Sequence, residues 1–154
     1  MKITLLVVGK TEKGLIHDGI GMYLNRLKHY IPFEIIEIAV KKKSDDREVM
    51  KRNEGEGIMK QIKSSDHVIL LDSMGREYTS KEFSQRIQHF ANKGYSNCVF
   101  IIGGPFGFHS KIIDRADEKL SMSRMTFSHQ MIRLFFVEQL YRGMTILKGE
   151  LYHH

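Results

Sequence analysis

A chain of 154 residues, 42% apolar and 27% charged, has the size and make-up of one globular domain spanning 1–154 and is too short for two ordinary ones. No apolar run approaches the roughly 18 to 20 residues that a membrane helix needs, and the lone Cys98 excludes an internal disulfide and a cysteine-based zinc site. Twenty-four Lys and Arg against eighteen Asp and Glu leave a formal charge of +6, which favours a polyanionic partner without identifying one.

Residues 2–8 read as a buried strand. Their apolar run is too short for a signal core and lacks a small-residue cleavage site, so a cytoplasmic location is expected. Ile16, Ile20, Tyr23, Leu24 and Leu27 recur at helical spacing and predict a helix over 15–30, closed by Pro32. Residues 33–40 are a second strand. Lys41, Lys42 and Lys43 form the densest basic cluster, either a solvated loop or an RNA-facing edge. The charged span 44–63 is weakly helical, because Gly55 and Gly57 each cost about 1 kcal/mol in a helix. A third strand over 68–72 is followed by a polar turn, Ser73 to Arg76. Thr79 and Glu82 make a capping box for a helix that Gly94 closes. A fourth strand covers 97–102, with Cys98 as a core thiol. A short helix over 110–116 and a short strand over 118–121 follow. The last element is a helix over 128–148 with Ser128 as its N-cap. Its apolar stripe (Met131, Leu134, Phe135, Leu140, Tyr141, Met144, Leu147) is widened by Ile132, Phe136 and Val137, which calls for cover by the sheet and by a partner subunit. Strands alternating with helices predict an α/β fold with a mainly parallel sheet flanked by helices.

The fourth strand runs into Gly103, Gly104, Pro105 and Gly107. In a parallel sheet, ligands lie beyond the carboxyl ends of the strands, and glycine lets a ligand approach the backbone. The alternative is a plain tight turn. Familiar phosphate loops do not fit: Pro105 breaks a dinucleotide fingerprint, and Thr4 stands where a P-loop ending at Gly9-Lys10-Thr11 would need glycine.

The segments MKITLLVVGK (1–10), FIIGGPFGFH (100–109), LSMSRMTFSH (120–129), EQLYR (138–142) and GELYHH (149–154), in this order and spacing, resemble the SPOUT methyltransferases. The likeness is greatest to the bacterial branch that methylates N3 of a pseudouridine in large-subunit ribosomal RNA, and it covers essentially the whole chain. It implies an α/β-knot fold whose C-terminal part is threaded into a trefoil knot, an arrangement rare among proteins. It also implies an obligate homodimer, S-adenosyl-L-methionine as methyl donor, and the ribosomal RNA of the large subunit or assembled ribosome as partner. No membrane and no metal are expected, since His17, His29, His67, His89 and His109 show no ligand spacing.

By the same resemblance the cofactor lies over Leu71, over Gly103 with Gly104, and over Met122, Ser123, Arg124, Met125, Thr126 and Phe127. Leu71, Met122 and Met125 suit the walls of an adenine site, although methionines there also suit core packing. The family varies at the position of Arg124. Three residues are catalytic candidates. Arg142 interrupts an apolar helix, and a cation there would stabilise charge developing on the target ring; an ion pair with Glu138 at i,i+4 spacing is the competing role. His153 is suited to accept the imide proton, since imidazole titrates near neutrality, and Tyr152 to stack on or hydrogen-bond the base. His154 stands where the family carries a longer basic residue. His129 either orders the cofactor loop or contacts substrate. The family suggests that each tail serves the partner's pocket. A non-catalytic RNA-binding module of ribosome assembly, or an enzyme of small nucleotides, are the competing functions.

Overall fold

The computed structural model describes residues 1–40 and 43–153. In chain order the elements are β1 (Lys2–Val8), α1 (Leu15–Leu27), β2 (Phe33–Ile38), α2 (Arg47–Met59), β3 (His67–Glu77), α3 (Ser80–Asn92), β4 (Asn97–Ile102), α4 (Ser110–Arg115), β5 (Glu118–Ser121) and α5 (Met131–Lys148). Among the described residues the strands form one parallel sheet in the order β2-β1-β4-β3-β5. This is the α/β class expected.

Alternation along each strand builds two cores on opposite faces of the sheet. Ile3, Leu5 and Val7 of β1 join Phe100 of β4 and the apolar sides of α1, α3 and α5. Leu6 and Val8 join Val99 and Ile101 and the apolar sides of α2 and α4. Cys98 lies fully buried in the first core, where burial pushes its thiol up to about 12.

Several boundaries differ from the sequence reading. α1 stops at Leu27, not 30; the amides of Tyr30 and Ile31 both donate to the Leu27 carbonyl in a tight turn ahead of Pro32. β2 stops at Ile38, where its partner β1 ends opposite it at Val8. α2 is shorter than 44–63 but well formed, capped by Asp46 through the amides of Glu48 and Val49. It tolerates Gly57 because the helix packs tightly there: a Cβ would lie 2.7 Å from Ile38. α4 ends at Arg115 and is capped by His109. α5 begins at Met131, and Ser128 caps the turn that leads into it, its hydroxyl accepting from the Met131 amide and its carbonyl from the Ile132 amide. The Thr79–Glu82 capping box is present as read. Lys41 and Lys42 lie outside the described residues, as does His154.

The polar segment after Leu71 is not a turn. β3 continues to Glu77 with a register shift between Leu71 and Arg76, and it resumes pairing with β5 at Leu120 and Ser121. Gly75 crosses the β5 backbone so closely that a Cβ would sit 2.5 Å from the Leu120 nitrogen.

α5 packs on α1 and α3. Every residue from Met131 to Leu147 is at least partly covered by the chain itself, so much of the cover expected of a partner subunit comes from these two helices. Among the described residues, no helix is long and apolar enough to cross a membrane.

Candidate active site

Beyond the carboxyl ends of β4 and β5, and beside the irregular middle of β3 that starts at Leu71, lies an open cavity of about 500 Å³. Leu71, Gly103, Gly104 and the whole segment 122–127 line it, so the nine residues singled out for the cofactor meet at one place. Asp72, His129 and Ile132 are also part of the wall. A neighbouring cavity of about 410 Å³ shares Met122, Ser123 and Phe127 and extends between α3 and α5 to Phe83, Phe135 and Gln139.

The two glycines are explained by the protein's own packing. A Cβ on Gly103 would lie 3.0 Å from the Phe108 ring. One on Gly104 would lie 2.7 Å from Oε2 of Glu54 and closer still to Oε1. Their missing side chains therefore make room for Phe108 and Glu54, while their backbone edges face the cavity. Glu54 is a buried acid of α2 that sequence reasoning missed, because a Glu in a charged, glycine-broken span carries no periodic signal. Burial raises its pKa, and the hydrogen bond from the Gly104 amide opposes that rise.

The segment 122–127 is held by short local bonds. The Ser121 hydroxyl donates to the Ser123 carbonyl (3.0 Å), and the Met125 amide donates to the Ser123 hydroxyl (2.9 Å). Phe127 packs on Phe135, with centroids 4.8 Å apart. Met122 packs against the first core, whereas Met125 is 75% exposed. Arg124 points into solvent with a 3.6 Å ion pair to Glu77.

The far end of this segment is bolted to the exit of β1. Gln130 accepts from the Glu12 amide and donates to the Lys10 carbonyl, both at 2.9 Å. Arg133, fully buried, donates to the carbonyls of Val8 (2.7 Å), Gly9 (3.1 Å) and His129 (3.1 Å) and to the Thr11 hydroxyl (3.1 Å). His129 thus serves the loop through its backbone. Burial pulls the Arg133 guanidinium below the usual arginine range, with Glu37 and Glu12 acting against that. The interruption of an apolar helix by a cation, noted on sequence for Arg142, occurs also at Arg133, which is the fully buried one; the available signal was a charge inside the run Met131 to Val137.

The Arg142 side chain is 25% exposed and paired with Glu138, donating to Oε1 from Nε (3.0 Å) and from Nη2 (2.6 Å). Its guanidinium lies over the Tyr152 ring at 4.8 Å, and Nη1 is 3.4 Å from Nδ1 of the exposed His153. The Tyr152 hydroxyl donates to Glu138 (3.2 Å) and shares a hydrogen bond with Tyr23 (3.1 Å). Burial first, then these bonds, raises the Tyr152 pKa. The three catalytic candidates are therefore one cluster. They do not meet the cavity in the same chain: Ile132 lines the cavity, and Arg142 sits ten residues further along α5, about 15 Å at the helical rise. Among the described residues, no group of His, Cys, Asp and Glu is gathered as a metal site would need.

The chain matches, over residues 1–153, the model of a family described as "Predicted SPOUT methyltransferase". It is 49% identical to a protein of Christiangramia forsetii (100% of this chain, 99% of that one) and 47% identical to one of Cytophaga hutchinsonii (100% of both). A protein of Phocaeicola vulgatus is 50% identical, over 100% of this chain and 99% of its own. All three relatives bear the name "Ribosomal RNA large subunit methyltransferase H". With a family match over nearly its whole length, a cavity at the strand ends and an α/β sheet to hold it, the chain belongs to the SPOUT methyltransferase family.

Proposed function

We propose that this chain methylates N3 of a pseudouridine in large-subunit ribosomal RNA, using S-adenosyl-L-methionine. The observation that carries the reading is the convergence of Leu71, Gly103, Gly104 and segment 122–127 on one cavity. Its size falls in the range of about 300 to 1,000 Å³ usual for small-ligand sites. The apolar sides of Leu71, Met122 and Ile132 suit an adenine face, and the loop backbones offer donors and acceptors to its edge. The names borne by the relatives support the RNA substrate. Such a substrate belongs to the cytoplasm.

When bound, the donor supplies a methyl group on a sulfonium, already activated for transfer. The imide N3 is a poor nucleophile until its proton leaves, since its lone pair is tied into the ring amides. Alignment is the first contribution of the protein, worth on the order of 7 to 11 kcal/mol in the best intramolecular cases. The glycine loop and segment 122–127 hold the donor's side of that alignment. Arg142, kept protonated and aimed by Glu138, stabilises negative charge growing on the ring oxygens. His153, exposed beside Arg142, accepts the proton. Tyr152, whose deprotonation is disfavoured, contributes its ring face and hydroxyl to holding the base.

The separation of this cluster from the cavity leads to a homodimer in which each tail completes the partner's site. Exposed Met74 and Met125, with Leu151 in the tail, are apolar surface available to such an interface. The reading includes the family's trefoil knot, which fits the close crossing of Gly75 over Leu120.

Calorimetry with S-adenosylhomocysteine and methyl transfer to isolated rRNA, large subunits and whole ribosomes test this. Cofactor-product binding is expected, with transfer favouring assembled particles, because a protein of this size has little surface for reading sequence. RNA binding without any affinity for the cofactor product would instead support a non-catalytic module. For the composite site, an Arg142→Ala protein is mixed and refolded with one blocked in the cavity by Gly103→Arg. Mixed dimers hold one intact site and regain activity; no recovery removes the partner's tail from the site.

A further inference from the structure

We infer that Glu54 is a positioning residue for the methyl donor, reaching from α2 behind the glycine loop to hold the Gly104 backbone in the shape that floors the cavity. The inference rests on the cofactor reading above. Gly104 lines the donor cavity on one side, while Glu54 fills the volume on its other side, where any larger residue at 104 would place its Cβ. Glu54 also lines a separate cavity with Val8, Val40, Lys43 and Met50.

The choice of residue is informative. Only 3% of Glu54 is exposed, and among the described residues it has no ion-pair partner within 4.0 Å. An acid in that setting is costly, and a leucine would fill the space more cheaply. What leucine lacks is an acceptor facing the Gly104 backbone: both carboxylate oxygens of Glu54 lie against Gly104, Oε2 being 2.7 Å from where its Cβ would stand and Oε1 closer still. Gly104 follows the end of β4, with Pro105 next in line; its carbonyl accepts from the Gly107 amide (3.2 Å), and a hold on its amide side limits the small shifts that misalign a transferring methyl.

Glu54→Gln keeps the shape and an acceptor; Glu54→Leu keeps the volume and removes the acceptor. Titration of S-adenosylhomocysteine into each, with thermal unfolding as the control for folding, separates hydrogen bonding from packing. Glu54→Gln is expected within about three-fold of the wild-type affinity and Glu54→Leu about ten-fold weaker or more. In turnover, Glu54→Leu should raise KM for the donor far more than it lowers kcat at saturation. Wild-type affinity in a folded Glu54→Leu protein overturns the inference while leaving the cofactor site standing. A wild-type protein that does not bind S-adenosylhomocysteine overturns both. Should Glu54→Leu not fold, hydrogen exchange at the Gly104 amide of the wild-type protein and Glu54→Gln decides: slow exchange in both supports the latch, and fast exchange in the wild type overturns it.

Discussion

Nη2 of Arg133, in the first turn of α5, lies 2.7 Å from the carbonyl oxygen of Val8, the last residue of β1. The same guanidinium also takes the carbonyls of Gly9 and His129. One buried cation therefore ties the first strand to the end of the segment that lines the cavity. Arg133→Met would leave those carbonyls without a donor inside the protein. A loss of about 3 to 5 kcal/mol is expected, at the level of a broken buried ionic contact. Calorimetric unfolding should show a melting temperature lower by roughly 6 to 20 °C. A variant melting within two or so degrees of wild type would show that water replaces the guanidinium at little cost.

Gly75 is where two stretches of backbone come closest. Its missing Cβ leaves room for the nitrogen and carbonyl carbon of Leu120, at 2.5 and 2.6 Å, and backbone cannot swing aside as a side-chain tip would. Gly75→Ala must push β3 and β5 apart and disturb Met122 just beyond. Reduced soluble yield and weaker S-adenosylhomocysteine binding are expected together. Unchanged affinity in a well-folded Gly75→Ala protein would mean that the crossing does not shape the cavity.

Arg142 and the tail should separate chemistry from cofactor binding. Arg142→Ala is expected to lower turnover at saturating donor by about 100-fold or more, the scale of losing one transition-state electrostatic contact, with cofactor affinity retained. Deleting residues 152–154 should abolish methylation in the same way. Near-normal turnover of a folded Arg142→Ala protein would reduce the residue to the partner of Glu138 seen in the structure.

Thr79 tests local helix energetics away from the site. Its hydroxyl accepts from the Glu82 amide, and Glu82 accepts in return from the Thr79 amide at 2.7 Å, which holds the Glu82 carboxyl below the usual range. Thr79→Ala should cost about 1 kcal/mol. A denaturation midpoint indistinguishable from wild type would place the cap outside the cooperative unit.

Strand and helix identity was largely legible from local chemistry. β4 and β5 lie at 97–102 and 118–121 as read; for β4, a continuous apolar run ending at glycine has few other solutions. The Thr79–Glu82 pair announced α3 for the same local reason. Where β3 ends was not legible. Ser73, Met74, Gly75 and Arg76 have turn chemistry, yet pairing with β5 draws them into an irregular strand, and that pairing depends on residues more than forty positions away. α2 likewise carries two glycines that argue against a helix locally and in its favour once Ile38 lies against Gly57.

By itself, then, the order of residues determined the alternation of elements, the class of fold and the segments from which a donor site would be drawn. Tertiary structure alone decided that Leu71, Gly103 and Met122 share a cavity, that Arg133 and not Arg142 is the buried cation, and that Glu54 stands behind Gly104. The reason is physical: periodicity records which side of an element faces the core, whereas burial of one charge or the tightness of one backbone approach depends on which distant elements the sheet order brings together.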